Sequence, residues 1–258
     1  MTQFLQKSGF VALLLSGFIA ACGSVETVSD KDISKEALLG TKEDGSDSKV
    51  FGQYFVSFSE SLQKIESRVD FKLKGSTGNG IMISEPNKIE LNGEVLNLND
   101  TSKSSFKLEP SSYSLVKSSK LPENEYVFKW FQDSKIFVNS FVFPKSVSSK
   151  IESGFLIPNN TEFKFAFVGA DLIQNEKIEV SISSKEEYKA GSDSIMTQSI
   201  TAGHDIMFTA AQISRFRKGK AEVLVSRFAQ RAVQQGHGAG GNLIGVYKGT
   251  PIAVNFAP

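Results

Sequence analysis

Cysteine is almost missing from this chain. Cys22 is the single thiol in 258 residues, so no disulfide can staple the body from within. Histidine is scarce too, with His204 and His237 alone. They are not spaced as H-x-x-x-H, and a zinc site needs three or four ligands, so no metal and no cofactor is expected. Neither sign of charge dominates, with 29 Lys+Arg against 28 Asp+Glu. That excludes the basic field that draws nucleic acid, which is not an expected partner. The longest apolar run, Phe10 to Ile19, is about ten residues, short of the roughly 20 that a helix needs to cross a bilayer. No long amphipathic helix stands out, which argues against a helical bundle.

Phenylalanine is abundant, at 21 against one Trp and five Tyr. Phe has high strand propensity and no polar atom to satisfy, so the composition leans toward β structure. From Val50 onward, period-two runs appear. Tyr54-Phe55-Val56-Ser57-Phe58 and Val69-Asp70-Phe71-Lys72-Leu73 read as strands. Ile89 to Leu96 reads as a strand or a tight hairpin around Asn92-Gly93. Phe106-Lys107-Leu108 is a short strand. Tyr126–Phe131 and Ile136–Phe143 flank a hairpin turn and stop at Pro144. In the second half the strands are Gly154–Ile157, Glu162–Phe167, Lys177–Ile182, Asp205–Phe208, Glu222–Phe228, Gly245–Tyr247 and Ile252–Phe256. Ser59–Val69 is open between a helix and a strand with loop, because Leu62, Ile65 and Val69 fall at helical spacing. Each half thus holds about six or seven short strands in about 100 residues, the pattern of an immunoglobulin-like sandwich.

That pattern resembles the tandem Ig-like or fibronectin-type-III-like modules of exported bacterial proteins. Leu121 to Phe128 resembles the approach to the tyrosine corner of such domains, which implies that the Tyr126 hydroxyl bonds upstream backbone. The fold class expected is all-β, with two tandem Ig-like β-sandwich domains over residues 50–144 and 145–258. A single larger sandwich or barrel is the alternative.

The N-terminus carries a more specific signal. Lys7 is the one charged residue before position 22, and the apolar run after it fits the core of a secretory signal. The run closes on Ile19-Ala20-Ala21-Cys22, which resembles the lipobox of bacterial lipoproteins. The resemblance implies cleavage after Ala21, removal of residues 1–21 and acylation of Cys22. Each buried CH₂ contributes about 0.8 kcal/mol, so two or three chains anchor firmly. Gly23 follows the cysteine where such lipoproteins carry Asp when retained at the inner membrane. An outer-membrane address in the bacterial cell envelope is therefore implied. Residues 22–49 are polar, with Ile33–Leu39 as a candidate helical turn. They read as a flexible linker of roughly 30 Å end to end.

Chemistry is harder to find. Gly236-His237-Gly238-Ala239-Gly240-Gly241 faintly resembles the oxyanion loop of lipases, yet the chain has no G-x-S-x-G elbow. It also lacks the Gly-Lys-Ser/Thr of a phosphate loop. The acidic clusters Glu43-Asp44-Gly45-Ser46-Asp47 and Gly191-Ser192-Asp193-Ser194 do not follow the spacing of a calcium-binding EF-hand. Trp130 and Phe131 must point to opposite faces of one strand, so one of them is a candidate outward ring for a glycan. Arg215, Arg217, Arg227 and Arg231 fall in the second half, and Arg227 with Arg231 would share one face of a continuing strand as a modest basic stripe, read as solvated edge protection. The reading is a non-catalytic structural or binding module, lipid-anchored through Cys22, with an envelope protein or a glycan as partner. The alternatives are a carbohydrate-binding surface lipoprotein and a hydrolase with its site between the sandwiches.

Overall fold

The computed structural model describes residues 50–257 apart from 78–79, 82, 84–86, 100–111, 133, 187–192 and 237. The signal, Cys22, the linker with its Ile33–Leu39 turn, the Phe106–Leu108 strand and His237 lie outside the described residues.

β1 (Val50–Ser59) and β2 (Lys64–Leu73) form an antiparallel hairpin in which Tyr54 faces Val69 and Phe58 faces Ile65. Residues 60–63 turn, with Gln63 at φ 48. Ser59–Val69 is therefore turn and strand rather than helix: Ile65 and Val69 are buried, whereas Leu62 is 70% exposed. β3 (Gly80–Ile81) pairs with β2. β4 (Lys88–Leu91) and β5 (Glu94–Val95) meet at Asn92-Gly93, whose φ values of 48 and 88 are those of a type I′ turn. β6 (Asn97–Asn99) and β7 (Ser112–Ser118) extend the β1–β2 layer, and β8 (Glu125–Gln132) with β9 (Lys135–Val142) is the expected hairpin. Strict alternation along β8 turns Tyr126, Phe128, Trp130 and Gln132 inward. The sheet β5-β4-β8-β9 then stacks on β1 and β2, with ring centroids 5.0 Å apart for Tyr54 and Phe128 and 4.6 Å for Phe71 and Trp130.

The second half supplies β10 (Val147–Ser149), β11 (Phe155–Ile157), β12 (Phe163–Gly169), β13 (Glu176–Ser184), β14 (Ile195–Ile200) and β15 (Asp205–Phe208). A short helix, α1 (Ala210–Arg215), follows. A reciprocal capping box starts it: Gln212 N–H donates to Thr209 Oγ1, and Thr209 N–H donates to Gln212 Oε1. β16 (Gly219–Ala232), β17 (Gly238–Lys248) and β18 (Ile252–Phe256) complete the chain. The small sheet β10-β12-β15 turns Phe163 toward Phe155 of β11, at 5.7 Å between centroids.

β16 joins everything. Along one edge it pairs with β13. Along the other, Gly219–Val223 pair with β18 and Ser226–Ala232 pair with β17. β17 in turn lies parallel to β1, in unbroken register from Gly52↔Gly241 to Ser59↔Lys248. Among the described residues the result is a branched 11-stranded sheet with open ends at β11, β6 and β14, so it is no closed barrel. The fold is all-β, two stacked sheet pairs sharing this large sheet. Strand pairing does not stop at Pro144. Phe143 and Pro144 are buried, and a Cβ on Gly245 of β17 would sit 2.6 Å from Phe141 and 2.7 Å from Pro144.

The open edge of β9 is closed in an unusual way. Val138 N–H and Ser140 N–H donate to the side-chain carbonyls of Gln235 and Gln234, at 2.8 and 3.1 Å. Gln234 Nε2 donates to Ser140 O, and the buried Asn139 bonds the 234–235 backbone through both ends of its amide. Two glutamine side chains thus stand where a neighbouring strand would be.

Candidate functional site

The most constructed feature of the described surface is the loop 170–175 between β12 and β13. It begins with an anomaly of register. In β16, Val223, Val225 and Ala229 point inward, and so does Arg227, at 1% exposure. In β13, Glu176 shares the inward row with Ile178, Val180 and Ile182. A buried charge is costly unless it is paired and fully bonded. Here Arg227 Nη2 meets the Glu176 carboxylate and donates to Asp171 O at 2.8 Å, and Nη1 donates to Ala170 O at 2.8 Å, while the buried Nε finds no partner among the described residues.

The rest of the loop is tied the same way. Ile173 N–H donates to Glu176 Oε2 at 3.2 Å, Gln230 N–H donates to Asn175 O at 3.0 Å, and Arg231 Nη1 donates to Gln174 O at 2.9 Å. Leu172 tucks against the core, while Ile173 stays outside at 59% exposure. Asp171 also projects, with its side chain 92% exposed, and its Oδ1 lies 2.9 Å from His204 Nε2. A fixed loop thus presents one carboxylate and one isoleucine, with the His204 imidazole from the turn before β15 held against the carboxylate.

The sequence candidates fall in different places. His204 stands in the turn before β15, joined to Asp171 at the surface. Gly238, Gly240 and Gly241 belong to β17: Gly238 and Gly240 take positive φ values of 63 and 78, and Gly241 permits close approach, since a Cβ there would lie 2.1 Å from Gly52 O on β1. Trp130 is in the core at 1% exposure. Phe131 is the outward ring, half-buried under Lys88, whose Nζ lies 4.7 Å from the ring centroid. Asp193 pairs with Arg215 at 3.4 Å, and Gly191 and Ser192 lie outside the described residues. Arg217 is buried and donates to Glu186 O at 2.9 Å. The arginines are thus not one solvated group. Arg227 and Arg217 are buried structural donors, because each meets backbone carbonyls that a loop would otherwise leave unbonded.

Tyr126 behaves as expected of a corner residue. Its buried hydroxyl accepts Glu123 N–H at 3.2 Å. Burial pushes its pKa up, with the Glu123 backbone bond opposing. Around it Asn92 accepts Val127 N–H at 2.7 Å, and Lys117 bridges Glu94 at 2.7 Å and Glu123 at 3.2 Å. The bond to Glu94, chiefly, raises the Lys117 pKa. Among the described residues, no group of three His, Cys, Asp or Glu side chains converges as a metal site would require.

No family model and no curated protein matches the chain. Solved structures do, at low similarity. DIP-gamma IG1+IG2 has 10% identity over 81% of this chain and 98% of that chain, with a TM-score of 0.20. The I9-I11 tandem of titin has 7% identity over 81% and 66%, at 0.21. FdeC, an Escherichia coli adhesin, has 12% identity over 80% and 64%, at 0.16. TM-scores this low carry no argument about the chain.

Proposed function

We propose that the protein is a non-catalytic binding or structural module of a bacterial cell envelope, held there by a lipid on Cys22. The observation that carries the non-catalytic part is how its ionisable groups are used. Arg227 and Glu176 are consumed in fixing a loop, and His204 meets its one carboxylate partner at a solvated surface. A general base needs a substrate proton held within its hydrogen-bond reach, which calls for a built cleft around it. A loop braced from beneath, carrying Asp171 and Ile173 with His204 of the neighbouring turn beside them, is instead suited to grip a partner, as binding residues on loops above rigid scaffolds do. An envelope protein fits better than a glycan, since the single Trp is in the core. The division at residues 144 and 145 belongs to the same proposal, with β17 reaching across it to β1.

The lipid rests on Ile19-Ala20-Ala21-Cys22 and is tested separately from the binding. Metabolic palmitate should label the chain and fail to label Cys22→Ala; equal label on both would remove the anchor from the proposal. For the loop, cross-linking in intact envelopes should yield a neighbour whose capture drops at least tenfold in Ile173→Asp. Capture unchanged by that variant would mean the partner site is elsewhere.

A further inference from the structure

We infer that β14 is a self-pairing edge, through which two copies of this chain join their large sheets antiparallel about a twofold axis at Thr197. This goes beyond the envelope reading and holds whether or not Cys22 carries a lipid.

The argument starts from which backbone groups are free. Ser184 N–H donates to Ser194 O at 2.8 Å, so that pair is hydrogen-bonded, and every second pair after it must be. Along the uninterrupted β13–β14 register these are Ile182↔Met196, Val180↔Gln198 and Ile178↔Ile200. Met196, Gln198 and Ile200 therefore spend their N–H and C=O on β13. Ile195, Thr197 and Ser199 direct theirs the other way; the 215–217 segment caps this side only at Asp193, before the strand, and among the described residues β14 itself pairs with β13 alone.

Soluble proteins blunt such an edge with charge, proline, a bulge or shortness. β14 has none of these: Ile-Met-Thr-Gln-Ser-Ile is six residues, uncharged and in even register. Most other edges are short or covered, β6 at three residues and β3 at two among them. The glutamine clasp covers β9, β11 and β10 are three residues each, β5 is two, and β15 begins with Asp205 paired to Lys164. In that setting β14 stands out as an edge left open.

Its sequence selects a second copy over a foreign peptide. Antiparallel pairing centred on Thr197 sets Thr197 opposite Thr197 and Ile195 opposite Ser199 of the second copy. All three free residues then bond, giving about six hydrogen bonds. Faces match, since these residues share the solvent side and Met196 meets Gln198 on the other. No charge of β14 opposes itself. The Thr197 hydroxyl already bonds the Ser181 hydroxyl at 3.0 Å, so the two threonines would link a hydroxyl row across four strands.

The test uses the full chain with Cys22→Ser, in non-ionic detergent, so that added thiols are the only ones. Sedimentation equilibrium should give a concentration-dependent dimer that Thr197→Lys abolishes at unchanged circular dichroism. Under mild oxidation Thr197→Cys should yield a disulfide-linked dimer, since opposed Cα atoms in such a pair lie about 5.5 Å apart. Ser199→Cys should yield at least tenfold less, its two copies being about 14 Å apart. A monomer at every concentration, a dimer indifferent to Thr197→Lys, or equal cross-linking at 197 and 199 would each overturn the inference. So would a monomer that takes up a foreign extended peptide at β14 instead.

Discussion

Arg227 sits where an alternating strand puts valine, and its partners make that tolerable. Removing one side of a buried ion pair leaves the other charge stranded. Arg227→Met should therefore cost about 3–5 kcal/mol in urea unfolding, whereas Arg227→Met with Glu176→Leu should recover part of it. Equal costs for single and double variants would mean that the loop carbonyls, not the carboxylate, dominate. A second residue-scale effect concerns alkali. Tyr113 donates to Ile83 O at 3.2 Å and accepts Ile83 N–H at 2.9 Å, and burial pushes its pKa up to about 12. Its neutral form is favoured in the fold, so its contribution is whole below about pH 10 and is lost as pH rises toward 12. That loss is on the order of 2–3 kcal/mol. The unfolding free energy should fall further between pH 9 and pH 11.5 in wild type than in Tyr113→Phe; an equal fall in both would show that Tyr113 carries none of the alkaline loss.

At the scale of elements, the glutamine clasp on β9 makes a separate prediction. Replacing both Gln234 and Gln235 by Ala should speed amide exchange at Val138 and Ser140 and leave β9 open to association. Unchanged exchange at those two amides would show that the clasp does not persist in solution. Much of the element plan was legible beforehand because its signals are local. Asn92-Gly93 demanded positive φ at two successive positions and received it. Tyr126 and Trp130 lay on the buried face of β8, as alternation requires once a second sheet covers it. β7 and β14 were missed because Ser, Thr and Gln fill them, and such residues read as loop until a neighbouring strand gives their backbone a partner. Arg227 was misread for a related reason. Period two marks position 227 as inward, but only Glu176 and the 170–171 carbonyls, distant in sequence, explain a guanidinium there.

For the whole molecule, the parallel seam between β1 and β17 was invisible in the sequence, since neither strand carries a mark of the other. Gly241 is the nearest thing to one, a residue whose missing Cβ admits the Gly52 carbonyl. Gly241→Ala should break the start of this seam and lower stability by about 3 kcal/mol, on the scale of a severe steric change in a packed interior. Fragment 50–144 by itself should aggregate or lose strand signal in circular dichroism, and recover when fragment 145–258 is added. A soluble, fully folded fragment would show β17 to be dispensable. The seam also imposes a timetable. During synthesis, the strand that emerges first among the described residues must wait for nearly the last before its second edge is filled. Until then Phe58 and Val56 border an unfinished ladder, and closing so long a loop is slow. A chain built this way keeps one strand edge exposed to association until its last strands are made.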